Sequence, residues 1–192
     1  MCIVSKVLAS FPSTTCFFLK FAMQRGNKMR YNKIRKMDIS NGPGVRISIF
    51  MQGCTFNCKQ CFNPETHSFE GGKEFTDETI DRVIELCQNE NINGLSILGG
   101  EPLHPNNIEG TTKLVKAFKE KIPNKDVWIW SGFSYDGELK DKEVLKYTDV
   151  LVDGRYMDEL RNPTLKWRGS ENQRVIDVQK SLNNSDIVFY NK

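Results

Sequence analysis

The stretch VRISIFMQGCTFNCKQC, residues 45–61, joins a strand pattern to three closely spaced cysteines. Its first part, Val45–Met51, is rich in β-branched and large apolar residues, which predicts a buried strand. Its second part carries Cys54, Cys58 and Cys61 in a C-x3-C-x2-C loop. Metal-binding side chains therefore follow directly on the first strand of the predicted core.

Downstream of this loop, segments with helical periodicity alternate with short apolar segments typical of strands. We predict helices over Thr76–Asn89, with Thr76 as N-cap, around Leu114–Ile122 and around Glu138–Tyr147, and strands over Gly94–Leu98, Asp126–Trp130, Asp149–Val152 and Val175–Val178. Such alternation implies parallel strands with right-handed crossovers. Four or five units are too few for a closed eight-stranded barrel. The predicted fold class is therefore α/β, an open or partial (β/α) barrel with mostly parallel strands.

Special residues follow several of these strands. The cysteine loop follows the first strand, Gly99-Gly-Glu-Pro102 the second, Ser131-Gly132 the third and Asp153-Gly-Arg155 the fourth. Ligands of parallel α/β sheets bind beyond the carboxyl ends of the strands, so we expect one site there. Taken alone, Gly99–Pro102 is equally typical of an ordinary turn, and Asp153 and Arg155 could simply pair with each other.

Two kinds of metal centre are compatible with the three cysteines. Three thiolates can hold three irons of a 4Fe-4S cluster, which normally takes four cysteines, and so leave one iron open to a small molecule. With His67 they could instead form a Cys3His zinc site, which would make the chain a zinc-stabilised binding module without catalysis. A closed zinc site gives no reason for a glycine-rich edge on the neighbouring strand, and the cluster is the favoured interpretation.

Length and composition are those of one globular domain, with 192 residues of which 27% are charged. The formal charge of +3 comes from the first 28 residues, in which Lys6, Lys20, Arg25 and Lys28 give +4 with no acid. The remainder is near neutral, which removes the main support for nucleic-acid binding. No apolar run approaches the ~20 residues that a membrane helix needs, so we expect no membrane partner either.

The six cysteines do not form the pattern of a disulfide framework. Cys87 falls on an apolar helical stripe with Ile80 and Ile84, which predicts a core residue. Clustered free thiolates favour a reducing, cytoplasmic setting. We expect residues 1–28 to be a disordered N-terminal extension, with Met29 as a possible start, and residues 29–192 to form the functional domain.

These motifs together resemble a known family. Cys54-x3-Cys58-x2-Cys61 followed by Gly99-Gly-Glu-Pro102 is similar to the radical S-adenosylmethionine superfamily. Six stretches resemble one branch of it, the anaerobic ribonucleoside-triphosphate reductase activating proteins: Asn41–Arg46, Cys61–Asn63, Gly99–Pro105, Trp128–Gly132, Asp149–Arg155 and Trp167–Arg174. The likeness spans about residues 29 to 180. The wider superfamily commonly has an aromatic residue before the third cysteine, whereas here Gln60 stands there and Phe62 follows, as is typical of this branch.

The resemblance implies a radical S-adenosylmethionine activase. Its cofactors would be a 4Fe-4S cluster, on the catalytic and metal-binding Cys54, Cys58 and Cys61, and S-adenosyl-L-methionine. The implied cofactor-binding residues are Gln60, Cys61, Phe62, Gly99, Gly100, Glu101 and Ser131. Reductive cleavage of S-adenosylmethionine would give a 5′-deoxyadenosyl radical that forms a glycyl radical on the partner, a class III anaerobic ribonucleotide reductase. An electron donor such as flavodoxin is also implied.

The alternative within the superfamily is another small enzyme, a pyruvate formate-lyase activase or a deazaguanine synthase. The segment Gly169–Arg174 favours the reductase activase over these, and the residues alone give no physical account of why it is needed.

Overall fold

The computed structural model describes residues 28–184 and 186–191. Its strands are Arg30–Asp38 (β1), Arg46–Met51 (β2), Lys73–Glu74 (β3), Gly94–Gly99 (β4), Asp126–Trp130 (β5), Val150–Asp153 (β6) and Arg174–Asp177 (β7). The α-helices are Asp77–Cys87 (α1), Ile108–Lys121 (α2) and Val178–Asn183 (α3), and 3-10 turns cover Pro64–Thr66, Glu143–Tyr147 and Asp158–Leu160. The predicted N-terminal extension lies, but for Lys28, outside the described residues.

One mixed sheet contains all seven strands in the order β3-β1-β2-β4-β5-β6-β7. The pairs β2-β4, β4-β5 and β5-β6 are parallel, which confirms the predicted α/β class and the parallel arrangement of the central strands. The pairs β1-β2, β1-β3 and β6-β7 are antiparallel. Since no α-helix crosses over between β6 and β7, the chain returns in the opposite direction. The open or partial barrel stays a prediction.

Strand β1, which lies next to the short edge strand β3, was not predicted from sequence. Its residues RYNKIRKMD are mostly charged or polar, which hides the strand pattern. In the structure Ile34 packs against the core, while the cationic heads of Lys33 and Arg35 lie 4.8 and 4.7 Å from the ring centroid of Phe50. The two cationic groups thus lie over an aromatic ring within the range of a cation–π interaction. Only Arg30 and Tyr31 of β1 pair with β3, and charged residues are usual where a strand is left without a partner on one side.

The main core lies between one face of the sheet and the first two helices. Ile80, Val83, Ile84 and Cys87 of α1 are buried there, which confirms Cys87 as a core residue. Thr76 caps α1 as predicted and forms a reciprocal capping box with Thr79. Within the described part of the chain, no helix is long and apolar enough to cross a bilayer.

The opposite face of the sheet carries Arg46, a charged residue with no exposed side-chain surface. Its guanidinium lies 2.7 Å from Asp126 Oδ1, donates to Ser96 Oγ at 2.6 Å and lies 5.6 Å from the ring centroid of Trp128. These contacts join β2, β4 and β5. The charge is tolerated because its donors have partners.

Replacing Arg46 by Met should therefore cost the metal-free protein about 3 kcal/mol in free energy of unfolding, since it removes an ion pair whose guanidinium is fully buried and leaves Ser96 Oγ without its donor. Urea unfolding followed by circular dichroism measures this. The control is Lys113→Met, which removes the exposed pair with Asp77 and should cost under about 1 kcal/mol. Equal losses in the two variants would contradict the role given to Arg46.

Candidate active site

The cysteine loop leaves β2 and is fixed to the following segment by main-chain hydrogen bonds. Gly53 N donates to Thr66 O at 2.8 Å, and Cys54 N donates to His67 O at 3.0 Å. Between the cysteines, Asn57 and Gln60 have φ values of 47° and 54°. Left-handed backbone at two residues that are not glycine turns the loop tightly and stores strain.

The three loop cysteines are free thiols and are partly buried. Burial raises the pKa of Cys54 to about 11, and the charges of Glu101 and Cys58 add to this shift. Burial also raises the pKa of Cys61, whose sulfur accepts a hydrogen bond from Asn63 N at 3.4 Å. Deprotonation of these thiols is therefore energetically unfavourable unless a cation lies beside them. A bound metal centre would supply that cation and deprotonate the thiols.

Two kinds of metal centre were predicted for the three thiols. Among the described residues, no three side chains of His, Cys, Asp or Glu meet where one metal ion could be held. A Cys3His zinc site needs four ligands around one such point, and the structure does not assemble it with His67. A 4Fe-4S cluster takes each of its thiolates at a separate iron, so it does not require side chains that meet at one point.

The Gly99–Glu101 loop lies directly against the root of the cysteine loop. Gly100 N donates to Met51 O and Glu101 N to Gly53 O, both at 2.9 Å. Gly99 has a φ of 108°, and a Cβ built on it would lie 2.8 Å from Met51 N. A Cβ on Gly100 would lie 2.7 Å from Gly53 O. The two glycines are thus required for this close approach of two backbones.

Glu101 joins the ends of β4 and β5. Its side chain is buried and accepts hydrogen bonds from Leu103 N at 2.9 Å, Ser131 Oγ at 2.8 Å and Gly132 N at 2.7 Å. Burial raises the pKa of Glu101 to about 7, against the opposing effect of these donors. The predicted residues Glu101 and Ser131 are therefore bonded to each other, and their shared contact sets the positions of both loops.

One cavity of about 390 Å³ brings most of the predicted residues together. Its wall includes these members of the predicted set: Cys58, Cys61, Phe62, Gly99, Gly100, Glu101 and Ser131. Cys54 and Gln60 are not part of that wall, and Gln60 is exposed. Phe62 is 63% exposed, and its ring centroid is 5.1 Å from that of Tyr156. The expected convergence at the carboxyl ends of the parallel strands is present.

The far wall of the cavity comes from residues that were not predicted as site residues. Tyr156, Trp167, Gly169 and Gln173 lie there. The Gln173 side chain accepts from Gly169 N at 2.8 Å and donates to Gly154 O at 3.0 Å. It thereby fixes the Gly169–Arg174 segment to the end of β6. This contact explains the segment, which sequence patterns could mark only by resemblance.

Asp153 and Arg155 do not pair with each other. Asp153 is buried and accepts from Arg174 Nε at 2.9 Å and from Tyr135 N at 2.8 Å. Arg155 instead donates to Phe56 O in the cysteine loop at 2.7 Å. Asp153 therefore joins the loop after β5 to the first residue of β7, while Arg155 connects the far wall to the cysteine loop.

Comparison with known proteins agrees with this geometry. Residues 40–176 match the family model described as a 4Fe-4S single cluster domain. The chain is 41% identical over 151 residues to the anaerobic ribonucleoside-triphosphate reductase-activating protein of Vibrio cholerae, covering 77% of this chain and 97% of the relative. The proteins of that name from Enterobacteria phage T4 and Escherichia coli K12 are 40% and 39% identical, with 77% of this chain and 93% and 97% of the relatives covered.

The chain belongs to the anaerobic ribonucleoside-triphosphate reductase-activating protein family. The resemblance inferred from the motifs is thereby confirmed, and the family model supports an iron–sulfur cluster as a cofactor. The matched region contains the cysteine loop, the Gly99–Glu101 loop and the far wall through Gln173. In this activating-protein family member the cavity between them is the candidate active site.

Replacing Gly99 by Ala should destabilise the metal-free protein by about 3 kcal/mol, because it combines a left-handed φ with a clash against the β2 backbone. The matched control is Gly154→Ala. Gly154 has a φ of 95°, but its built Cβ meets nothing closer than 3.7 Å. That variant should lose only about 1 kcal/mol from the φ strain. Urea unfolding compares them, and equal losses would refute the close-approach argument.

Replacing Glu101 by Gln should change the pH dependence of stability. Because folding raises the pKa of this carboxyl from 4.5 to about 7, the folded state binds its proton more tightly. The wild-type free energy of unfolding should therefore fall, relative to Glu101→Gln, by up to about 3 kcal/mol as pH rises from 4.5 to 7. Urea unfolding of metal-free protein at several pH values measures the difference.

The control for this series is Glu138→Gln. Hydrogen bonds from Ser134 lower the pKa of the exposed Glu138. The contribution of Glu138 to stability is therefore lost as pH falls, whereas that of Glu101 is lost as pH rises. A wild-type curve parallel to that of Glu101→Gln across this pH range would show that the pKa of Glu101 is not raised.

Proposed function

We propose that this chain activates an anaerobic class III ribonucleotide reductase as a radical S-adenosylmethionine enzyme. Bound together, a 4Fe-4S cluster and S-adenosylmethionine would supply a 5′-deoxyadenosyl radical and methionine by one-electron cleavage of the C–S bond, and this radical would take a hydrogen atom from a glycine of the reductase to leave a glycyl radical. The observation that carries the proposal is the cavity that Cys58 and Cys61 share with the Gly99–Glu101 loop and Ser131, in a chain of this family.

The proposed roles of the cysteines follow from their placement. Cys54, Cys58 and Cys61 would each bind one iron, and the fourth cysteine among the described residues, Cys87, is buried in the core. One corner of the cluster is then left for an exchangeable ligand. The hydrogen bond from Asn63 N to the Cys61 sulfur would adjust the reduction potential, since such bonds tune iron–sulfur centres.

The neighbouring loops would hold the cofactor beside that corner. The Gly99–Glu101 backbone and the buried Glu101 carboxylate offer acceptors for the amino group of S-adenosylmethionine. Ser131 is held at the same wall by its bond to Glu101. Phe62, which lies on the cavity wall, and Gln60 would contact the nucleoside part of S-adenosylmethionine. Most of these groups are positioned before any ligand binds, which lowers the entropy cost of binding.

The proposed partner enters from the side of the sheet. We propose that the sheet curves as an open barrel and that a reductase loop bearing the target glycine reaches the cavity through the lateral gap. The electron donor would be a flavodoxin or a similar reductant, and the reducing cytoplasm would keep the thiols free to bind the cluster.

Electron paramagnetic resonance of the anaerobically reconstituted, reduced protein tests the proposal. Wild type should show a 4Fe-4S signal that changes on addition of S-adenosylmethionine. Cys58→Ala should lose most of the iron, the signal and the glycyl radical on the reductase, because one of three ligands is removed. The matched control is Cys87→Ala, which removes a core thiol of α1 and should retain all three.

Three results would contradict the proposal. A cluster signal that does not respond to S-adenosylmethionine would show that no iron is open to it. A Cys58→Ala variant that still installs the glycyl radical would remove Cys58 from the ligand set. Stoichiometric zinc without acid-labile sulfide would favour the binding module instead.

A further inference from the structure

All three tryptophans of the chain lie in one aromatic cluster with Tyr190. The ring centroid of Trp128 is 5.7 Å from that of Trp130, 5.0 Å from that of Trp167 and 4.9 Å from that of Tyr190. Trp130 and Trp167 line the cavity, whereas Trp128 and Tyr190 do not. Two aromatic rings thus stand behind the two that face the site.

Trp167 is held in an uncommon conformation. Its φ is 61°, in the left-handed region that a bulky side chain rarely enters. Its carbonyl accepts a hydrogen bond from Trp130 Nε1 at 2.7 Å, and its ring centroid lies 5.9 Å from that of Tyr190. Such strain persists only where surrounding contacts impose it. The position of this part of the cavity wall therefore depends on what packs behind it.

Tyr190 lies in the C-terminal segment 187–190, which pairs with β7. Asp177 N donates to Val188 O at 2.9 Å, and Tyr190 N donates to Val175 O at 2.8 Å. Phe189 forms an isolated bridge with Ile176. Because neighbouring side chains on an extended segment point to opposite sides, Phe189 is 55% exposed while Tyr190 packs against the tryptophans.

The C-terminal segment lies beyond residues 40–176, the part of the chain that matches the cluster-domain model. The residue that it contacts across the cluster, Trp167, lies inside the matched part and on the cavity wall. A segment outside the matched domain thus reaches the site through one ring contact.

We propose that Tyr190 is a positioning residue for the cofactor cavity: it packs behind Trp167 and holds that indole as the apolar wall against which S-adenosylmethionine binds. The inference rests on the proposed function for the identity of the ligand. Tyr190 has an edge-to-face contact with Trp128 and another with Trp167, and such contacts favour one ring placement over others. Without the tyrosine ring, the Trp167 backbone can relax from its left-handed conformation and the wall moves.

Tryptophan fluorescence of the metal-free protein tests the packing. Since all three tryptophans belong to the cluster, emission reports on that cluster alone. Tyr190→Ala should shift the emission to longer wavelength as water reaches the indoles. Phe189→Ala is the matched control, a neighbouring aromatic removed from the exposed side of the same segment, and should leave the emission unchanged. Tyr190→Phe, which keeps the ring, should behave as wild type.

Titration of the reduced holoprotein with S-adenosylmethionine, followed by the cluster's paramagnetic resonance, tests the consequence. Tyr190→Ala should raise the apparent Kd about 3- to 10-fold, the range of one aromatic contact. In dithionite-driven cleavage assays the KM for S-adenosylmethionine should rise by a similar factor while kcat stays within about 2-fold, because the cysteine loop is not touched. Tyr190→Phe and Phe189→Ala should match wild type in both assays.

Tyr190→Leu covers the case in which the alanine variant does not fold, since leucine fills part of the space and should give a smaller shift in the same direction. Two results overturn the inference, provided that the wild-type cluster responds to S-adenosylmethionine. In the first, Tyr190→Ala and Tyr190→Leu both bind S-adenosylmethionine with the Kd of wild type. In the second, Phe189→Ala raises the Kd as much as the two Tyr190 variants do. If the signal of the wild-type cluster does not change on addition of S-adenosylmethionine, the proposed function is overturned instead. The fluorescence of Tyr190→Ala would still show whether Tyr190 packs behind Trp167.

Discussion

The close approach of two backbones, at Gly99–Gly100 of one loop and Met51–Gly53 of the other, is the constraint on which the site depends. Two main-chain hydrogen bonds of 2.9 Å hold these segments together, and no side chain fits between them. The approach fixes the root of the cysteine loop to the neighbouring parallel strand. It also places Glu101 where its carboxylate can accept bonds from the end of β5. Three consecutive strand ends thus become one rigid edge.

This constraint gives the glycines a different role from the one a ligand alone would suggest. Bare backbone at a cavity is usually explained by the ligand's need for room. Here the space next to the absent Cβ atoms is filled by the protein itself, and the cavity lies beside it. The Gly-Gly-Glu pattern is therefore a folding requirement of the site as much as a binding one. Loops locked in this way can hold a reactive intermediate in place without reorganising around it.

Sequence patterns predicted the central sheet well because its parallel strands are buried on both faces and consist mostly of apolar residues. Asp126–Trp130 was predicted with its observed bounds. The edges could not be predicted in the same way. β1 is a run of charged residues that becomes a strand only by pairing with β2 and β3. The orientation of β7 depends on a long connection without a crossover helix, and local propensity carries no information about that.

The same division holds within the site. The cysteines and Gly99–Glu101 are contiguous motifs, so the sequence predicted their placement at one edge of the sheet. The far wall is assembled from residues whose roles exist only through long-range contacts, such as Gln173 with Gly154 and Trp130 with Trp167. A tryptophan at φ 61° has no signature in a sequence, because nothing local favours that conformation. The packing of Trp128 and Tyr190 against the Trp167 ring offsets the strain of this backbone conformation. The wall of this cavity therefore depends on residues far from the cysteine motif.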